Sequence, residues 1–70
     1  MIEVFKTNVR ARSHANMLVG QIHKVFNGYE ANFDLDDCDK VLRIESSGIR
    51  PGAVEYLLQT AGFYCRELDY

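Results

Sequence analysis

The sequence predicts an α+β domain in which one four-stranded antiparallel sheet is covered on one face by two helices. Three observations carry this expectation. Hydrophobic periodicity switches from two to about 3.6 and back along the chain, in the order strand, helix, strand, strand, helix, strand. The turn-forming residues fall at the switches, with Asn27 and Gly28 after the first helix and Ser46 to Gly52 before the second. At 70 residues, 47% hydrophobic and 26% charged, the composition is that of one small globular domain spanning residues 1–70.

The opening "IEVFKTNV" reads as a strand, since Val4, Phe5, Thr7 and Val9 favour extended backbone and Phe5, Thr7 and Val9 share a face. After Arg10 the spacing lengthens. Ala15, Leu18, Ile22, Val25 and Phe26 then make one apolar stripe along a helix, with Ser13 as its expected N-cap and "FNGY" as its stop. "EANFDLDD" alternates again, Ala31, Phe33 and Leu35 facing one way and Asn32, Asp34 and Asp36 the other. "KVLRIES" is expected to pair with it across the "DDCDK" turn, placing Leu42 and Ile44 inward. "PGAVEYLLQTAG" gives a second amphipathic helix through Val54, Leu57, Leu58 and Ala61, started by Pro51 and ended by Gly62. "FYCRELDY" closes the chain as a short strand.

This βαββαβ order is that of the ferredoxin-like fold, for which right-handed crossovers give the strand order 4-1-3-2. The same topology brings three connections to one end of the sheet: the loop after the first strand, the central hairpin and the loop before the last strand.

Composition also restricts function. A net charge of −2 and a pI near 5.5 argue against nucleic-acid binding, which needs a basic surface. No apolar run is long enough to span a bilayer, and the N-terminus has no signal-peptide pattern, so a cytoplasmic location away from membranes is expected. Cys38 and Cys65 are then expected as reduced thiols. A core this small leaves little room for an enclosed catalytic cleft. No nucleophile stands at a recognisable spacing from an activating base, and there is no glycine-rich phosphate loop. A binding role is expected rather than an enzymatic one, with no cofactor.

Three stretches that together span nearly the whole chain carry a resemblance: the helix spacing from His14 through Ala15, Leu18, Ile22 and Val25; the hairpin "FDLDDCDKVLRI"; and "AVEYLLQTAGFYC" with its Gly62 and Phe63. On these the chain resembles a heavy-metal-associated (HMA) domain, the small fold of copper and zinc trafficking, with Gly62 and Phe63 similar to the family's glycine and aromatic beside the metal loop. The resemblance implies the same ferredoxin-like fold. The family's CxxC motif is absent, however. In that motif two thiolates grip one soft ion beside a helix N-terminus. The corresponding residues here are Ala11, Arg12, Ser13 and His14, and no one-residue shift restores a cysteine.

Arg10 and Arg12 place permanent positive charge beside a helix terminus that is already positive, which opposes a cation. The same charges suit an anion, so Arg10, Arg12 and Ser13, with Phe63 beside them, are candidate anion or partner contacts. The bland alternative pairs the arginines with Asp36, Asp37 and Asp39 of the hairpin. His14, Cys38 and Cys65 are the candidate ligands for a relocated metal site, set against readings in which His14 is a surface residue, Cys38 an exposed thiol and Cys65 a core residue. The acidic run "DLDDCD" lacks the glycine and distal glutamate of a calcium loop and reads as a solvated turn. Metal binding is not expected. The leading expectation is a small interaction module acting on a protein partner or on itself. The alternatives are a soft-metal trafficking protein with relocated ligands and a sensor of an anion or small metabolite.

Overall fold

The computed structural model describes residues 1–68. The elements are β1 (Ile2–Thr7), α1 (Arg12–Val25), β2 (Glu30–Asp34), β3 (Val41–Glu45), α2 (Pro51–Thr60) and β4 (Cys65–Glu67). The four strands form one antiparallel sheet in the order β2-β3-β1-β4. No helix among the described residues is long and apolar enough to cross a membrane.

Register follows from which side chains must be dry. Phe5 stands opposite Leu42 on one side and Glu67 on the other, Phe33 opposite Leu42, and Thr7 opposite Cys65. Phe5, Leu42, Ile44 and Cys65 are fully buried, so alternation fixes this face as the inner one. Both helices put their buried residues into the same core, Ala15, Leu18 and Ile22 from α1 and Val54 and Leu58 from α2. The opposite face carries Val4 and Lys6 of β1 with Val41 and Arg43 of β3.

The strands end sooner than alternation alone predicts, and side-chain hydrogen bonds are the reason. β1 stops at Thr7 rather than Val9 because the Thr7 hydroxyl accepts from the Val9 N–H at 3.2 Å and donates to the Lys40 carbonyl, which turns the chain. Val9 remains fully buried outside the strand. β2 stops at Asp34, whose carboxylate accepts from the Asp36 N–H at 3.2 Å, and a second such turn follows from Asp37 to the Asp39 N–H at 2.8 Å. The hairpin closes at Lys40, the one non-glycine at positive φ among the described residues (+47°), whose ammonium donates to the Leu35 carbonyl at 2.8 Å. Gly28 (φ +85°) and Gly62 (φ +95°) sit beyond the two helices, where a left-handed residue is needed.

Ser13 is not the N-cap of α1. The helix begins two residues earlier than a Ser13 cap would set, with Ala11 at the cap position, its carbonyl taking the Ala15 N–H at 3.0 Å, and no side chain caps the terminus. The last strand is also shorter than expected. Phe63 and Tyr64 lie before it, and residues 69 and 70 of the expected strand lie outside the described residues.

The rims of the sheet receive side chains from the helices. On β4, the Glu55 carboxylate accepts from the Glu67 N–H at 2.8 Å, and the Gln59 amide donates to the Cys65 carbonyl at 3.2 Å. On β2, the Ala31 N–H donates to His23 Nε2 at 3.4 Å.

Candidate functional site

The topology brings the three expected connections to one end of the molecule, and hydrogen bonds tie them together. The Thr7 N–H donates to the Asp39 carbonyl at 3.0 Å, joining β1 to the hairpin. The Tyr64 N–H donates to the Asn8 carboxamide oxygen at 2.8 Å, joining the loop before β4 to the loop after β1. The His14 ring, in the first turn of α1, lies against Phe63 with centroids 5.5 Å apart and planes tilted by 59°. Phe63 therefore stands beside the loop, as the sequence suggests, and its contact is with an imidazole.

The charged residues of this end do not pair as expected. Arg10 and Arg12 are exposed, and the salt bridge among the described residues runs from Lys6 to Asp39 at 3.5 Å. Lys6 points to the hairpin from the neighbouring strand, so it reaches Asp39 where the loop arginines do not. Ser13 is exposed in the first turn, and that turn holds no acidic residue. No buried side-chain nitrogen or oxygen among the described residues lacks a partner, so no polar cradle is left waiting for a ligand there.

The relocated set His14, Cys38 and Cys65 is not assembled. Cys65 faces the core with no exposure, and burial pushes its thiol up to about 12, with the Glu55 carboxylate adding to the shift. A soft metal needs the thiolate, which this environment opposes. Cys38 is exposed in the hairpin, and both cysteines are free. The ligand atoms that do come together are those of Asp37, Cys38 and Asp39, all within 4.8 Å of one another, and Asp39 is already shared with Lys6. Thiol titration with a disulfide reagent is expected to count one reactive cysteine in the native protein and two after denaturation. Two fast native thiols would show that Cys65 is not sealed.

A second surface went unrecognised in the sequence. Val25, expected in the core stripe of α1, is 61% exposed, and Tyr56 of α2 is 69% exposed. Together with Phe26, Ala53, Leu57 and Thr60 they line an apolar groove between the helices, with a volume of about 330 Å³. Val25 lies only about 20° around the helix from the fully buried Leu18, so its exposure comes from its place as the last residue of α1, where α2 does not close over it. Phe26 stacks on Tyr29 at 4.8 Å with the rings 12° from parallel, and the Tyr29 hydroxyl accepts from the Arg50 N–H at 2.9 Å. One wall of the groove is thereby tied to the start of the other helix. The available signal was the apolar Tyr56–Leu57 pair, too wide for one buried stripe.

Comparison with known proteins returned no family model, no curated protein and no solved structure that matches this chain.

Proposed function

We propose that this chain is a ferredoxin-like interaction module related to HMA domains, in which the first loop no longer holds metal and binding has passed to a protein contact. The observation that carries the reading is the uncovered groove between α1 and α2. It leaves Val25 and Tyr56 facing solvent in a domain with little apolar surface to spare. The loop end supports it by composition. Ala11 and His14 stand where the family's thiolates would be, two exposed arginines flank them, and the sealed Cys65 is unsuited to replace either thiolate.

Native mass spectrometry of the reduced protein with Cu(I) and, separately, Zn(II) tests the metal side of this reading. The wild-type chain is expected to retain neither ion through buffer exchange, whereas the Ala11→Cys/His14→Cys variant is expected to retain one Cu(I). Retention by the wild type, abolished in Cys38→Ser, would replace this reading with soft-metal trafficking through the hairpin. Failure of the double variant to gain an ion would remove the relationship to HMA domains.

A further inference from the structure

We infer that the groove between α1 and α2 receives an acidic, amphipathic segment of a partner protein, its apolar side chains entering the groove and its carboxylates meeting Lys24 and Arg50. This rests on the interaction-module reading and gives the partner its chemistry. Three features of the molecule converge on it.

The first is shape and polarity. A volume of about 330 Å³ lined by Val25, Phe26, Ala53, Tyr56, Leu57 and Thr60 fits a few aliphatic or aromatic side chains and contains no charged residue. A helix laid along such a groove would present anchors at the spacing of its own successive turns.

The second is the separation of charge between the layers of the fold. From Val9 to Tyr29 the chain carries Arg10, Arg12 and Lys24 with no carboxylate at all. From Ser46 to Arg66 the only carboxylate is Glu55, and it accepts the Glu67 N–H on the rim of β4. The acidic residues gather instead on the strands and the hairpin. The helical side, although part of an acidic protein, is thus basic around an apolar centre. Charge complementarity selects an acidic partner and opposes a basic one.

The third is the position of the cations. Arg50 is the N-cap residue of α2, three residues before Ala53, and so stands at the head of the helix whose Ala53, Leu57 and Thr60 form the α2 wall. Its backbone is fixed by Tyr29, which stacks on Phe26 of the opposite wall. Lys24 adjoins Val25 on α1, and both cations are exposed. The antiparallel helices set the end of α1 beside the start of α2, which places Lys24 and Arg50 at the same end of the groove.

A second copy of the chain is a poorer occupant. Its aliphatic side chains set between two carboxylates are Leu35, between Asp34 and Asp36, and Leu68, between Glu67 and Asp69, and both are half-buried in their own molecule.

The test is a titration of the isotope-labelled full chain, followed by amide chemical shifts, with three short synthetic helical peptides. One has leucines at helical spacing on a glutamate background, one the same leucines on lysine, and one the same glutamates with serine for leucine. The first is expected to give saturable shifts centred on Val25, Ala53, Leu57 and Thr60, to weaken with salt, and to bind about tenfold more tightly than either control. Arg50→Glu is expected to weaken it about tenfold while leaving the far-ultraviolet spectrum and melting curve unchanged. Tyr56→Ser serves as a second exposed-site variant with the same expected direction. Equal binding of the lysine peptide, shifts centred on the open sheet face, or no saturation at millimolar peptide would overturn the assignment. So would dilution-dependent shifts without peptide, which would put a second copy in the groove, or binding to anionic phosphatidylglycerol vesicles with no response to peptide. Failure here in a protein that retains no metal overturns the groove assignment alone, whereas metal retention overturns the reading beneath it.

Discussion

Phe5→Ala is expected to leave the chain largely unfolded at room temperature. Phe5 lies on β1, which pairs with strands on both sides, and its side chain has no exposure to solvent. Its strand partners are Leu42 and Glu67, and the core around it includes Leu18, Ile22, Ile44 and Leu58. Truncation of a buried phenylalanine to alanine costs about 3–5 kcal/mol, because the lost transfer free energy is compounded by a cavity that neighbours only partly refill. A domain of this size draws roughly 3–5 kcal/mol of net stability from its single core. The two quantities are equal in order, so the variant sits at or below the folding threshold. Urea titration followed by far-ultraviolet circular dichroism checks this. A cooperative transition shifted only slightly from the wild-type midpoint would show that the core can collapse around the missing ring.

Thr7→Val is expected to be the most damaging near-isosteric change at the loop end. The side chain is 4% exposed, and its hydroxyl serves two backbone groups at once, donating to the Lys40 carbonyl and accepting from the Val9 N–H. Valine keeps the shape and removes both bonds. The Val9 N–H and Lys40 carbonyl then lose that partner in a region with little water, and each buried group left unsatisfied costs about 1–3 kcal/mol. Thr7→Ser keeps the hydroxyl and loses one methyl, about 0.8 kcal/mol. Serine is therefore expected to be the more stable of the two variants, and valine to speed amide exchange at Val9. The reverse order in a denaturant titration would mean that packing of the methyl, and not the hydroxyl, holds the loop after β1 against the hairpin.

The residues that were legible in the sequence are those whose neighbours in the chain decide their fate. Ala15, Leu18 and Ile22 recur with the helix, Leu42 and Ile44 with the strand, and Gly28 and Gly62 where a helix must stop. Strand ends were less legible, because they depend on side chains turning back to the main chain. Thr7 and Asp34 each bind an N–H two residues onward, and neither bond has a periodic signature. Ser13 looked like the cap of α1 by residue type, yet the backbone reaches helical geometry at Arg12, two residues sooner than a cap at Ser13 would set. At the loop end, the absence of cysteine from Ala11 to His14 was readable directly, and the inward aim of Cys65 from alternation. The partner of Asp39 was not, since it depends on which of Lys6, Arg10 and Arg12 the fold brings nearest. The groove was the least legible feature. Val25 belongs to a good amphipathic stripe, and only the spacing between α1 and α2 decides that it meets a gap instead of a neighbour.

Open sheets carry a hazard that this molecule meets with its helices. The outward groups of an edge strand are a template on which further extended chains can add, and the outcome of unchecked addition is fibrillar aggregation. In this chain Glu55 and Gln59, one helical turn apart, occupy the Glu67 N–H and the Cys65 carbonyl on one edge, while His23 takes the Ala31 N–H on the other. An incoming strand must displace those side chains, and along β2 it also meets the carboxylates of Glu30 and Asp34. Polymerisation through the sheet is thereby discouraged without an extra covering element.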